Sequence, residues 1–150
     1  MRRMNRRTGL LVLSAVAGAS LLSACAVPSS SSGAGAASLR VSGTVTYRER
    51  MALDPAAEVL VQLLDVSRMD APSTVLAEQR MPANGKQPPF AYELKVDAAR
   101  IDPRMRYAVS ARISRGGQLL FINDTQYTVL TQGAGNGADL VLVRVVQAPR

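Results

Sequence analysis

From Leu39 onward the chain alternates apolar and polar residues, and turn-forming residues cut the alternation at short intervals. Leu39, Val41, Gly43, Val45 and Tyr47 share one parity while Ser42, Thr44 and Thr46 share the other, the period of a strand with one buried face. From Glu58 to Val66 both parities are apolar, with Val59, Val61 and Leu63 against Leu60, Leu64 and Val66, which predicts a central strand covered on both faces. Val75–Met81 is a third strand. Phe90, Tyr92, Leu94 and Val96 alternate with Ala91, Glu93 and Lys95 in a fourth. Arg106–Ser114 turns Tyr107, Val109, Ala111 and Ile113 inward, Leu119–Ile122 returns from it, and short strands follow around Tyr127–Leu130 and Asp139–Val146. No stretch carries a long helical period.

The interruptions have their own chemistry. Leu53-Asp54-Pro55-Ala56 turns the chain, and Pro72 breaks it between Asp70 and Ser73. Pro82–Pro89 combines Asn84-Gly85, which favours positive φ, with prolines that cannot join a ladder. Asp97 is placed to cap a single helical turn, stopped by Asp102-Pro103 because a residue before proline is driven out of helix. Arg115-Gly116-Gly117 makes a tight hairpin. Asn123-Asp124-Thr125 bends the chain, and the glycine-rich stretch 132–137 links two strands. About eight short strands with regular turns argue an all-β sandwich or small barrel. We expect a single β-sandwich of seven or eight antiparallel strands over residues 39–147.

Ahead of this domain, Arg2, Arg3, Arg6 and Arg7 precede an apolar run from Leu10 to Leu22 and the small pair Ser23-Ala24, the layout of a secretory signal. At about a dozen residues the run falls short of the roughly 20 that span a bilayer. Leu22-Ser23-Ala24-Cys25 resembles the lipobox of bacterial lipoprotein signals at every position. The resemblance implies removal of residues 1–24, a diacylglycerol thioether on Cys25 and acylation of its new amine. Several chains on one residue hold a lasting membrane anchor where one holds marginally. No Asp follows Cys25 to act as the inner-membrane retention signal, so the resemblance implies the outer membrane, with the domain facing the periplasm. The alternative is an ordinary signal peptide with a chance cysteine. Residues 25–38 are small and uncharged, rich in Ser and Gly, and read as a flexible tether.

Composition narrows the chemistry. The precursor carries a formal net charge of +7, but four of its 18 basic residues lie before Cys25, leaving 14 against 11 acidic. The remaining charges are dispersed, without the basic face that nucleic acid requires. With the single cysteine assigned to lipid, no disulfide can form, and His and Trp are absent. Asp65 with Asp70, and Asp97 with Asp102, are the nearest approach to paired carboxylates, but turn aspartates bond their own backbone. Asn123-Asp124-Thr125 lacks the spacing of a calcium loop, and no helix follows Gly133, Gly135 and Gly137 to hold a phosphate. Arg100, Arg104 and Arg106 gather near Asp102, best read as a solvated, self-paired cluster. No catalytic, metal or cofactor-binding residue is assigned, no cofactor is expected, and the chain is read as a non-enzyme whose one functional residue is Cys25.

Gly43–Arg48, Val61–Ser67, the Phe90 strand, Ile101-Asp102-Pro103, Tyr107–Ile113 and Leu120–Thr125 together resemble the YbaY family of lipoproteins, grouped with the YscW pilotins of type III secretion. The resemblance implies a β-sandwich on a lipid anchor and, for YscW-like members, assistance to an outer-membrane secretin. The expected partners are the membrane, through the lipid on Cys25, and an outer-membrane protein client. The alternative is a polysaccharide-associated or envelope-hydrolase-inhibiting lipoprotein using an exposed loop or aromatic patch.

Overall fold

The computed structural model describes residues 37–146; the signal segment and nearly all of the tether lie outside the described residues. Eight strands follow in order: β1 (Ser38–Tyr47), β2 (Ala57–Asp65), β3 (Thr74–Pro82), β4 (Phe90–Asp97), β5 (Tyr107–Arg115), β6 (Gln118–Ile122), β7 (Tyr127–Val129) and β8 (Leu140–Arg144). One 3-10 turn, Ala98–Arg100, sits between β4 and β5, where the Asp97 carboxylate accepts from Ala99 N–H at 2.9 Å.

These strands form one sheet in the order β3-β2-β5-β6-β8-β1-β4, with β7 also on β5. The sheet curls until its two ends meet, so the domain is a nearly closed barrel rather than the expected sandwich. The continuity that makes it so is non-local: β6 reaches β8 through Phe121↔Arg144 and Ile122↔Val143, and β8 reaches β1 through Val45↔Leu140, Thr46↔Val141 and Tyr47↔Leu142. The β8–β1 pair is parallel, a second departure from the all-antiparallel expectation. Bulges at Leu63/Leu64 and Ile113/Ser114 bend the sheet and increase its twist.

The inward parity fills the barrel. Val41 and Val45 on β1, Val59, Val61 and Leu63 on β2, Leu94 on β4, Val109 and Ile113 on β5, Phe121 on β6, and Leu140 and Leu142 on β8 are all buried. Among the described residues no second sheet covers the outer face of β2, contrary to expectation. Leu60 is nevertheless buried there, between its register partners Arg80 and Arg112, whose aliphatic stems can cover apolar surface.

Two details hold the curl together. β6 and β7 are collinear along β5, with Arg112↔Ile122 above the break and Val109↔Tyr127 below it. The Asn123 side chain patches the break, its Oδ1 accepting from Ala111 N–H at 2.8 Å and from the Ser110 hydroxyl at 3.0 Å. At the seam no backbone ladder joins β3 to β4 among the described residues. Instead Gln79 Oε1 on β3 accepts from Glu93 N–H on β4 at 2.9 Å, and the Arg100 guanidinium donates to the Leu76 carbonyl at 3.1 Å.

Gly43 has the inward parity but no side chain, because the segment entering β8 passes directly over it. Ser42 N–H donates to Asn136 O and Ala138 N–H to Ser42 O, both at 3.1 Å, and the Tyr92 hydroxyl donates to Ala138 O at 2.7 Å. Burial, and then the charge of Asp139, push the Tyr92 phenol up to about 12. A phenol titrating near 10 when unfolded and near 12 when folded loses a proton first from the unfolded chain, so stability falls as pH rises from 10 to 12. The denaturation midpoint of Tyr92→Phe should therefore fall less between pH 9 and 11.5 than that of the wild type. Equal losses would contradict the assignment.

Candidate functional site

Strand direction gives the barrel two unlike ends. β1 begins at one, where the connections 66–73 and 98–106 also lie and from which the segment 130–139 climbs along β1 to Thr44. At the other, β1, β3, β5 and β8 finish, and the loops 48–56 and 83–89 converge with the Gly116-Gly117 hairpin. The described chain therefore begins at the end opposite these loops.

Four clefts ring the far end. One of about 550 Å³ lies between Tyr47 at the end of β1, Arg50 and Met51 on the first loop, and Gln87-Pro88-Pro89 on the second. Its neighbour, of about 300 Å³, shares Met51 and Ala52 and adds Leu120, Phe121 and Arg144. A third continues along Leu120, Arg144 and Val145. Together they form a belt with an apolar floor.

The loops are pinned by their own side chains. Tyr47 stacks on Phe121, centroids 4.5 Å apart and planes 17° from parallel, and its hydroxyl donates to Met51 O at 2.8 Å. Burial, and then the nearby Glu49 charge, raise the Tyr47 phenol, so it stays a donor. Gln87 clamps the loop from below, Oε1 accepting from Leu53 N–H at 2.7 Å and Nε2 donating to Leu53 O at 3.3 Å. Glu49 Oε1 accepts from Arg144 N–H at 3.3 Å, while its Oε2 is buried without a partner. Asp54 accepts from Ala56 N–H at 2.8 Å and pairs with Arg115 at 3.1 Å.

Both acidic residues of this loop are thus turned toward the protein. Arg48, Arg50, Lys86 and Arg144 engage in no ion pair among the described residues. The far end presents cations around an apolar belt, with Met51 44% exposed at its centre.

The residues weighed from sequence lie elsewhere. Cys25 is outside the described residues. Asp65 accepts from Ser67 N–H at 2.9 Å and its hydroxyl at 2.6 Å, the local role expected of a turn aspartate. Asp102 accepts from the Arg104 guanidinium at 2.8 Å and Arg104 N–H at 2.9 Å, and these bonds hold its carboxyl at about 2. Arg100 is spent on Leu76, so the expected self-pairing holds for Arg104 and in part for Arg100. Asn123-Asp124-Thr125 is the polar corner it was read as. Among the described residues no group of acidic side chains is arranged to hold a metal ion. The far-end belt was not foreseen, because it depends on Gln87 meeting Leu53 and Arg144 meeting Glu49 across the fold.

The described residues form a small β-barrel whose far end is grooved and lined by cations without ion pairs. The chain belongs to the YscW family, described as type III secretion system lipoprotein chaperones, whose model matches residues 36–142. It is 46% identical over 107 residues to the uncharacterized lipoprotein YbaY of Escherichia coli K12, covering 71% of this chain and 56% of that protein. The chain thus spans little more than half the length of that relative. The same fold occurs in an alternative pilotin from the type II secretion system of Vibrio cholerae, with TM-score 0.71 and 43% identity over 74% of this chain and all of that one. The resemblance to YbaY-type lipoproteins is borne out.

Proposed function

We propose that this chain is a non-enzymatic, lipid-anchored carrier of the bacterial outer membrane. Cys25 takes the lipid, residues 25–38 are the tether, and the barrel faces the periplasm and binds an outer-membrane protein client. The observation that carries this reading is the likeness to the Vibrio cholerae pilotin, which extends over the whole of that chain. The mechanism is delivery: the lipid fixes where the domain resides, and a client bound to the domain is brought to the same membrane. A rigid barrel with pinned loops suits this role, because a preorganised surface loses little entropy on binding.

The test is fractionation followed by mild-detergent pulldown from outer membranes. The wild type should sit in the membrane fraction and bring down an outer-membrane assembly component. Cys25→Ser should move to the soluble fraction with an unchanged melting temperature. A Cys25→Ser protein that stays in the membrane would place the anchor elsewhere, and a lipidated wild type that recovers no outer-membrane protein would end the carrier reading.

A further inference from the structure

We propose that Asn84 is a site of spontaneous deamidation, and that Asn136, which stands in the same Asn-Gly dipeptide, is protected from it by the fold. The inference is independent of the carrier reading, since it needs neither client nor membrane.

Two Asn-Gly pairs occur among the described residues, Asn84-Gly85 in the loop 83–89 and Asn136-Gly137 in the segment entering β8. Both asparagines are exposed, so access to water does not separate them. The reaction that makes such pairs labile is intramolecular. The Gly N–H gives its proton to hydroxide, and the nitrogen forms a bond to the Asn side-chain carbonyl carbon, Cγ. The Cγ–Nδ2 bond breaks, and Nδ2 leaves as ammonia with a proton taken from water, which regenerates the hydroxide. One water then opens the five-membered imide, its OH adding to either carbonyl carbon while the ring nitrogen regains a proton. Opening at Cγ leaves an aspartyl residue, and opening at the main-chain carbon leaves an isoaspartyl one. The sum is amide plus water to carboxylate plus ammonium, with nothing oxidised or reduced.

The rate depends on whether the peptide between Asn and Gly can turn to bring nitrogen and Cγ together. Asn84 has φ of 47° and Gly85 of 79°, and Lys86 N–H donates to Ala83 O at 2.8 Å, which makes a type I′ turn with these two residues at its centre. The turn is held from outside, by Ala83 N–H on Ala57 O at 2.8 Å and Asn84 N–H on Pro55 O at 3.1 Å. Its central peptide is not held. Among the described residues neither Asn84 O, nor Gly85 N–H, nor the Asn84 carboxamide has a hydrogen-bond partner, and the space beside Gly85 is open to 4 Å. Rotating that one peptide converts type I′ to type II′, taking ψ of the first central residue from about +30° to about −120°, and Gly85 accepts either sign of φ. In the second form the Gly85 nitrogen faces Asn84 Cγ.

The peptide between Asn136 and Gly137 is instead built into the sheet. Asn136 O accepts from Ser42 N–H and Ala138 N–H donates to Ser42 O, both at 3.1 Å, and Gly137 bridges Ser42 in the parallel sense. Turning it breaks backbone bonds that tie β1 to the approach of β8, a barrier that slows the reaction by about tenfold or more. Asn123 is excluded otherwise. Its carboxamide is engaged by Ala111 N–H, the Ser110 hydroxyl and the Thr125 carbonyl, and Asp124 follows it rather than Gly.

The change falls where it alters a surface. Asn84 and Lys86 stand with Arg80, Gln87 and Pro89 around a cleft of about 490 Å³, and Gln87 is the clamp on Leu53. A carboxylate at position 84 adds negative charge two residues from Lys86, and the isoaspartyl form also lengthens the main chain inside a turn whose ends are fixed. The far end thus loses net positive charge as the molecule ages.

The test uses the full-length protein, purified in mild detergent and held for days at mildly alkaline pH. Samples are digested at acid pH, peptide mass spectrometry follows amide-to-acid conversion at positions 84 and 136, and isoaspartyl methyltransferase labelling marks the isoaspartyl product. In the folded protein position 84 should convert about tenfold or more faster than position 136, to a mixture of the two products. In urea the two rates should converge, because both are then Asn-Gly in an unfolded chain. Asn84→Ser should suppress the acidic species that the wild type accumulates in isoelectric focusing, and freshly made Asn84→Asp should focus with that species. Equal rates at the two positions in the folded protein, faster conversion at position 136, or conversion at position 84 only in urea would each overturn the proposal.

Discussion

Gly43→Ala is expected to lower the melting temperature of the domain by 10 °C or more. A Cβ at this position would collide with the Ala138 carbonyl oxygen, lie 2.7 Å from the carbonyl carbon, and come within 3.1 Å of the Tyr92 hydroxyl. The two Ala138 atoms are backbone in a register fixed from both sides, by Ser42 with Asn136 and Ala138 and by Tyr92 with the same carbonyl. Relief requires moving the segment 136–138 away from β1, which loosens the parallel pairing of β8. Overpacking of this kind costs about 1–3 kcal/mol, and more where neighbours cannot yield. For a domain of this size each kcal/mol shifts the melting temperature by about 4–8 °C. Circular dichroism melts of the two proteins decide it, and coincident curves would show that the close approach is not maintained in solution.

Val109→Asp should prevent stable folding at neutral pH. Val109 is 1% exposed, paired with Leu63 on β2 and Tyr127 on β7, and points into a core of aliphatic and aromatic side chains. A carboxylate there has no cation or donor to replace water, and an uncompensated buried charge costs several kcal/mol, against a total stability of about 5–15 kcal/mol. The introduced acid would be forced to bind its proton in the folded state, its pKa rising well above the unfolded value near 3.9. The unfolded chain then releases its proton at lower pH, so the destabilisation should grow as pH rises through the unfolded pKa and ease on acidification to pH 4. Val109→Asn should show a comparable loss without that pH dependence. A wild-type melting temperature for the Asp variant would mean the inward parity is wrong.

Most of the strand pattern was legible because it is written locally. Phe90, Tyr92, Leu94 and Val96 are buried and Ala91, Glu93 and Lys95 exposed, as their alternation required. The Gly116-Gly117 turn has φ of 54° and 83°, the left-handed pair that a two-residue hairpin needs. Asp97 caps one turn and no more. Closure was not legible, since a sandwich and a barrel share the same inward parity and differ only in which strands are neighbours. The β6–β8 and β8–β1 pairs that decide it join residues far apart in sequence, and β8 is short enough to read equally as an outer strand of a second sheet. The far-end belt was hidden for the same reason. Arg48-Glu49-Arg50-Met51 looks like a solvated charge run until Tyr47, Gln87 and Arg144 are seen to pin it.

The seam between β3 and β4 has a consequence for life at a surface. A sheet that ends in two bare edges invites pairing with any extended chain, and that risk rises steeply when copies are crowded. Here each edge shelters the other, and Gln79 and Arg100 occupy hydrogen-bonding groups that a stranger would use. On the proposed lipid anchor, molecules packed side by side in two dimensions would therefore jostle without exchanging strands.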